Sequence, residues 1–265
     1  MQPSENSLFE IFFTFVHLAN INIFTHNYEE TILLSPLFLL ASCAQKIVDF
    51  ALKKNGILDE TTVLRSLKYA DKELVFLDMM HLGKKEYYND VTSKIDSLQK
   101  VGYFVFHEGL YLRRSDRVIN ENDTNYLKFR RITNLDPLVE YSKTKPFSDY
   151  ISKYNLIDQP DYVNMGITAE NSKPVDLSIA RLISEFEKQK GPVALTQCDY
   201  DTKLGSGSYS CGKVDNEARN LLMEDIAINK RNENIVDQIK QSDKRKILIV
   251  YGKKHYDGVK KLLEQ

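Results

Sequence analysis

The sequence predicts an α/β protein, in which helices flank a mixed, partly parallel sheet and a helical or irregular insertion interrupts the chain. Two patterns carry this prediction. Short apolar runs alternate with helical patterns on either side of the insertion, and residues 113–162 keep no long periodic pattern. Composition agrees, because 42% of the 265 residues are hydrophobic, which is enough for a real core.

The first unit of the chain reads strand, helix, strand. The run ELVFLDMM at residues 73–80 is typical of a buried strand, and residues 86–100 carry apolar positions at helical spacing. Gly102 can end that helix, and YFVF at residues 103–106 is again a short aromatic and β-branched run. The β-α-β order predicts that the two strands run parallel.

The insertion is rich in charged and aromatic residues and has prolines scattered through it. After it, the sequence predicts a helix over residues 175–190 ending at Gly191, a strand over 192–196 (PVALT), a helix over 215–241, a strand over 246–251 (KILIVY) and a helix over 257–264. The chain therefore closes as its first unit begins, with a strand, a turn and a helix.

The charge of the chain limits its partners. There are 36 Lys and Arg against 37 Asp and Glu, which gives a formal net charge of -1. Such a chain lacks the basic footprint that holds a polyphosphate backbone. We therefore expect no nucleic acid among its main partners.

Residues 1–43 are interpreted as a leader and residues 44–265 as a single α/β domain. No Lys or Arg precedes Lys46. The apolar runs at residues 8–17 and 31–41 are shorter than the roughly 20 residues that a membrane-spanning helix needs. We therefore expect no transmembrane helix.

The second apolar run ends in Leu-Ala-Ser-Cys at residues 40–43, which resembles a bacterial lipobox with Cys43 as the lipidated residue. This interpretation predicts a protein of the cell envelope held by a lipid anchor. Against it, Glu29 and Glu30 stand where a signal peptide has positive charges. The alternatives are an ordinary core cysteine in a cytoplasmic protein and a misplaced start codon.

Two further cysteines, Cys198 and Cys211, lie in a polar segment rich in glycine and serine. A disulfide between them would suit an exported protein. Their spacing is not a zinc pattern, because neither has a second ligand nearby. Two unpaired thiols remain the alternative.

Three residues that can bind a metal or move protons follow three of the predicted strands. They are His81, Glu108 and His255. Because ligands collect at the carboxyl ends of the strands in an open α/β sheet, we expect these side chains to converge. Two imidazoles and a carboxylate suit a divalent transition metal such as Zn, Mn, Co or Fe, which can acidify a bound water for hydrolysis. Glu108 would then be either a metal ligand or the general base.

Two long stretches carry a family resemblance. LVFLDMMHLGKKEYYNDVTSKIDSLQKVGYFVFHEGL resembles the first module of the TraB/TIKI-like (TraB/PrgY/GumN) family of metalloproteases, which has a strand, a G-x-x-H motif, a helix and a strand closing on Glu-Gly. KRNENIVDQIKQSDKRKILIVYGKKHYDGVKKLLEQ is similar to the closing module, with an Arg-Asn helix, a strand, G-x-x-H, a glycine and a last helix. The two matches bracket residues 73–265, and the middle of the chain is less diagnostic.

This resemblance implies a metal-dependent hydrolase of peptidase or esterase type, on a fold related to the erythromycin-esterase and haem-binding ChaN-like proteins. It implies roles for His81, Glu108, Arg231, Gly252 and His255. Arg231 would stabilise a developing oxyanion or a substrate carboxylate. The partner would be a peptide or a small molecule. The alternative is a non-catalytic protein on the same fold that sequesters a peptide, haem or a signalling molecule.

One position departs from the family pattern. Asp78 stands where the first G-x-x-H motif has its glycine, so the motif reads Asp-Met-Met-His. The Asp78 carboxylate could supply an extra oxygen ligand or hydrogen-bond the turn. Asp176 and Asp199 resemble further acidic positions of the family, although a helix cap and a loop acid explain them as well.

Overall fold

The computed structural model describes residues 46, 48–118, 120, 122–144, 147–207, 209–212 and 215–265. The chain divides into two compact units, Met1–Asp59 and Glu60–Gln265. In the first unit, residues 48–54 are helical. The predicted leader, with Cys43, lies outside the described residues. No helix in the described part of the chain is long and apolar enough to cross a membrane.

The second unit contains a mixed sheet, and its strands are β1 (Leu64–Tyr69), β2 (Lys72–Met79), β3 (Leu82–Lys84), β4 (Phe104–His107), β5 (Leu156–Asp158), β6 (Ser172–Pro174) and β7 (Lys246–Gly252). Among the described residues, five of these strands form one sheet in the order β1-β2-β7-β4-β6. Only β1 runs antiparallel to its neighbour. β3 and β5 form a separate antiparallel pair.

The helices are α1 (Lys85–Lys100), α2 (Thr124–Thr133), α3 (Ile151–Tyr154), α4 (Ile179–Lys190), α5 (Gln197–Asp201), α6 (Asn216–Asn220), α7 (Ala227–Gln241) and α8 (Tyr256–Leu263). Helices α1, α7 and α8 pack on the sheet, whereas α2 and α4 share a separate apolar cluster. A π-helical stretch, Leu221–Ile226, joins α6 to α7, so the chain is helical from 216 to 241, as predicted. Among its described residues, the insertion contains helices, 3-10 turns and the three-residue strand β5. The prediction of an α/β fold with a mixed, partly parallel sheet flanked by helices is confirmed.

The sheet is buried on both faces. One face packs its valines and leucines against Val91 and Ile95 of α1. The other packs against Ile235 and Ile239 of α7 and against α8. A parallel strand covered on both sides needs apolar residues without alternation, and this explains why β2 and β7 read as continuous apolar runs.

The β2-α1-β4 unit is confirmed as parallel, but its strands are not neighbours. Both pair with β7, which comes from the end of the chain and lies between them. The carboxyl ends of β2, β7 and β4 therefore meet at one edge of the sheet.

The strand predicted at residues 192–196 is wrong, because this segment has no regular structure. Side chains bind its backbone in place of a strand partner. The Val193 N–H donates to Glu187 Oε1 at 2.9 Å, and the Thr196 N–H donates to Asp199 Oδ2 at 2.7 Å as the capping box of α5. The edge of the sheet beyond β4 is taken by β6 instead.

The structure joins Cys198 and Cys211 by a disulfide, with their Cα atoms 5.6 Å apart. The loop that it closes is also held by Arg130 of α2, which is fully buried. The Arg130 guanidinium donates to the carbonyl oxygens of Asp199 at 3.0 Å and Thr202 at 2.6 Å. The disulfide and Arg130 therefore fix the same loop from two sides.

Candidate active site

Strand ends position the three residues singled out from the sequence. His81 follows β2, Glu108 follows β4, and His255 lies in a 3-10 turn directly after β7. The Glu108 N–H still bonds the Val250 carbonyl at 3.1 Å, which continues the β4–β7 ladder one residue beyond the strand. The backbone of Glu108 is thus fixed by the sheet itself.

Glu108 is the centre of the site. Its side chain is buried, and its Oε1 accepts from Arg231 Nη2 at 2.5 Å. Its Oε2 accepts from the Gly252 N–H at 3.0 Å. His81 Nε2 lies 3.7 Å from Oε1, too far for a hydrogen bond. Burial acts to raise the pKa of Glu108, but Arg231 and the two histidines outweigh it and lower the pKa to about 2.

His255 is held in a defined state. It is 3% exposed, and its Nδ1 lies 2.7 Å from Asn232 Oδ1. Because an amide oxygen only accepts, Nδ1 carries the proton and Nε2 carries the lone pair. Burial, aided by Arg231, lowers the pKa of His255 to about 4, so the ring is neutral at neutral pH. A neutral imidazole with a fixed tautomer is the form that ligates metals.

Two glycines shape the surroundings of His255. A Cβ on Gly252 would lie 3.5 Å from Glu108 Oε2 and 3.6 Å from His255 Cδ2, so this glycine lies in contact distance of both side chains. A Cβ on Gly258 would lie 2.1 Å from Asn232 Nδ2. The absence of a side chain at position 258 therefore gives Asn232 the space from which it reaches His255.

His81 has the same arrangement at a more open place. Its side chain is 47% exposed, and its Nδ1 lies 3.1 Å from Gln159 Oε1. Its ring stacks on Tyr141, with centroids 5.3 Å apart and planes 4° apart. Both histidines thus face an amide oxygen with Nδ1, and His81 is the more exposed of the two.

Arg231 of α7 links two carboxylates. Besides Glu108, it binds Asp176, with Nε 2.6 Å from Oδ1 and Nη2 3.0 Å from Oδ2. Burial acts to lower the pKa of Arg231, but Glu108 and Asp176 outweigh it and raise the pKa well above its usual value. Asp176 also accepts from the Tyr251 hydroxyl at 2.8 Å and the Gly109 N–H at 3.0 Å.

The donor chemistry partly fits a transition metal. His81 Nε2 and Glu108 Oε1 are two acceptors that face each other, and such a gap favours a cation or a hydrogen-bond donor between them. Glu108, however, already has a partner on each oxygen. Among the described residues, no group of three or more His, Cys, Asp or Glu is arranged to hold a metal ion.

Asp78 does not join this cluster. Its carboxylate pairs with Arg65, whose Nη2 lies 3.0 Å from Oδ2 and whose Nε lies 3.2 Å from both oxygens. Neither alternative drawn from the sequence, an extra ligand or a turn contact, describes this ion pair. The Thr62 hydroxyl donates at 2.5 Å to the Asp78 carbonyl, so the start of the motif is held by partners of its own.

Sequence reasoning missed several members of the site. Gln159 and Tyr141 come from the insertion, where no periodic signal marks them. The sequence leaves Asp176 open between an acidic position of the family and a helix cap, and it marks Asn232 only as the second residue of an Arg-Asn pair. His107 lies against Tyr162, with ring centroids 4.7 Å apart, outside the cluster.

Fold and site together define an α/β protein with a His-Glu-Arg centre at the carboxyl edge of its sheet. No protein-family model, curated protein or solved structure matches this chain.

Proposed function

We propose that this chain is a metal-dependent hydrolase of peptidase or esterase type, of the TraB/TIKI-like family and on an erythromycin-esterase/ChaN-like fold. One observation carries the proposal: two histidines at one strand edge each have Nδ1 on an amide oxygen, and His81 Nε2 lies 3.7 Å from the buried Glu108 carboxylate. Metal-binding histidines in proteins are typically held in this way.

His81 and His255 would hold the metal, which can be Zn, Mn, Co or Fe. When bound, such an ion supplies a Lewis acid and lowers the pKa of a water molecule. Glu108 stays ionised and offers the remaining lone pairs of its oxygens to orient a hydrogen-bond donor. With a pKa of about 2 it is a weak base, so an orienting role suits it better than proton abstraction.

Arg231 provides the positive charge of the site. It is largely buried and fixed by Glu108 and Asp176, so its charge needs no reorganisation when a substrate oxygen becomes negative. Tyr141 stacks on the exposed histidine and would form the rim that a peptide or small-molecule substrate meets first.

A second candidate function is a non-catalytic protein that sequesters a peptide, haem or a signalling molecule. The specific observation in its favour is that Arg231 and the Gly252 N–H already bind both oxygens of Glu108. Retention of a ligand without turnover of any peptide or ester would favour this candidate.

Metal content of the purified protein decides between the two. We expect about one equivalent of a transition metal, its loss in His81→Ala and His255→Ala, and hydrolysis of some member of a peptide and ester panel. Lys253→Ala, in the turn that carries His255, is the control and should keep both properties. A wild-type chain that holds no metal and takes none up would defeat the hydrolase proposal.

We also extend the proposal to location. The disulfide between Cys198 and Cys211 supports an oxidising compartment, and a lipidated Cys43 would anchor the chain at the cell envelope. Labelling with a radioactive fatty acid tests this, since Cys43→Ser should abolish the label and release the protein from membranes.

A further inference from the structure

We propose that Gln159 is a positioning residue for His81: its side-chain oxygen keeps the imidazole proton on Nδ1 and thereby directs the Nε2 lone pair into the site. The use of that lone pair for a metal rests on the proposed function. The position of the proton on the His81 ring does not depend on that proposal.

Gln159 is fixed to His81 through the backbone as well as the side chain. The Gln159 N–H donates to the His81 carbonyl at 2.9 Å. The residues next to them pair in the β3–β5 ladder, where Leu82 lies opposite Asp158. The insertion is therefore attached to the site at the histidine itself, and the side-chain contact is built on a ladder that does not depend on it.

The amide of Gln159 has a defined orientation. It is 8% exposed, and its oxygen lies 3.1 Å from His81 Nδ1. The side chain is also hydrogen-bonded to the buried phenol of Tyr162. Because His81 takes the oxygen, the NH2 group is left for Tyr162, and a flipped amide would lose both bonds. Arg114 Nη2 holds the Gln159 carbonyl at 2.9 Å.

Two acceptors compete for the single proton of a neutral His81 ring. Gln159 Oε1 is within hydrogen-bond distance of Nδ1, whereas Glu108 Oε1 lies 3.7 Å from Nε2. The proton therefore lies on Nδ1, where Gln159 Oε1 accepts it. Without Gln159, the negative charge of Glu108 would attract the proton to Nε2, and the lone pair would turn away from the site.

Nuclear magnetic resonance of the imidazole nitrogens tests this directly, at about pH 8.5, which is above the ordinary histidine pKa. The chain has five histidines, and His81→Gln identifies the signals. We expect wild-type His81 to carry its proton on Nδ1. Gln159→Met keeps the shape but removes the acceptor, and should move the proton to Nε2. Gln159→Glu keeps an acceptor and should retain the wild-type tautomer.

Gln99→Met is the matched control, because Gln99 makes one side-chain bond to the Gly166 carbonyl away from the site. It should leave the His81 spectrum unchanged. A wild-type proton on Nε2 overturns the inference, and so does an unchanged tautomer in Gln159→Met. If Gln159→Met does not fold, Gln159→Glu provides the test. A proton on Nε2 of His81 in that variant would also overturn the inference.

A Co²⁺ titration separates this inference from the proposed function. Loss of a partner of this kind typically weakens metal affinity about 10- to 100-fold, and we expect such a loss in Gln159→Met, with recovery in Gln159→Glu. If wild-type protein binds no Co²⁺ but shows the expected tautomers, the proposed function fails and the role of Gln159 stands.

Discussion

Glu108 at the end of β4 and Arg231 in the middle of α7 form a buried ion pair, with Oε1 2.5 Å from Nη2. The pair joins the edge of the sheet to the helix packed on its face. Arg231 also binds Asp176, so one guanidinium neutralises carboxylates from two different loops. The ion pair between Glu108 and Arg231 thus both holds the site together and places its charges.

Removal of this guanidinium should destabilise the fold. Arg231→Ala leaves the buried Glu108 and the partly buried Asp176 without a cation, and we expect the free energy of unfolding to fall by about 3–5 kcal/mol in urea denaturation. Arg231→Lys keeps the positive charge but not the planar guanidinium that binds both carboxylates, and it should lose less stability than Arg231→Ala. Arg181→Ala removes an exposed guanidinium that pairs with Glu185 at i,i+4 and should lower the free energy of unfolding far less. Equal losses in the two alanine variants would contradict this account.

Stability should also fall in acid because of Glu108. Its pKa is about 2 in the folded chain and near 4.5 otherwise. A depressed pKa contributes stability that is complete above pH 4.5 and is lost as the pH falls toward 2. Unfolding midpoints between these values should decline more steeply for wild type than for Glu108→Gln, whose side chain does not titrate. Parallel curves would show that the carboxylate is not held as described.

Gly258→Ala should destabilise a helix in which alanine is normally favourable. Alanine gains about 1 kcal/mol over glycine in a helix, but the added Cβ would lie 2.1 Å from Asn232 Nδ2. We expect a net loss of about 1–3 kcal/mol and a displaced His255. In Asn232→Ala the clash cannot form, so adding Gly258→Ala to that variant should cause no further loss of stability in thermal unfolding. The His255 Nδ1 proton still lacks its acceptor there, and its resonance spectrum should remain altered. A stabilised Gly258→Ala would refute the close approach.

The disulfide should stabilise the fold through its closed loop. Its cysteines are separated by 13 residues, and replacing both by serine should lower the free energy of unfolding by about 2–4 kcal/mol. The lower end is expected, because Arg130 still binds the loop carbonyls. Reducing agent should lower the wild-type midpoint and leave that of the double variant unchanged. An unaffected wild type would mean that the loop is closed without the bond.

Periodicity and strand order predict much of this fold. The strands β2, β4 and β7 are buried on both faces, so each is a run of consecutive apolar residues that can be recognised in the sequence. Ligands collect at the carboxyl ends of strands in an open α/β sheet, and this rule predicted that His81, Glu108 and His255 lie at one edge. Arg231 and Gly252 came from the family motif.

The rest depends on contacts between distant segments. Gln159 reaches His81 only because β3 and β5, of three residues each, pair across the insertion. Such short strands carry no period that a sequence can reveal. The segment PVALT has the composition of a strand, but its backbone N–H groups at Val193 and Thr196 donate to the carboxylates of Glu187 and Asp199.

The position of β7 has a consequence for biosynthesis. Of the described strands it is the last to be synthesised, yet it lies between β2 and β4 and pairs with both. Until β7 has been made, β2 and β4 each lack the neighbour that pairs with them in the folded sheet. A nascent chain would therefore expose these apolar strand edges until β7 emerges, and we expect chaperone contact over that interval.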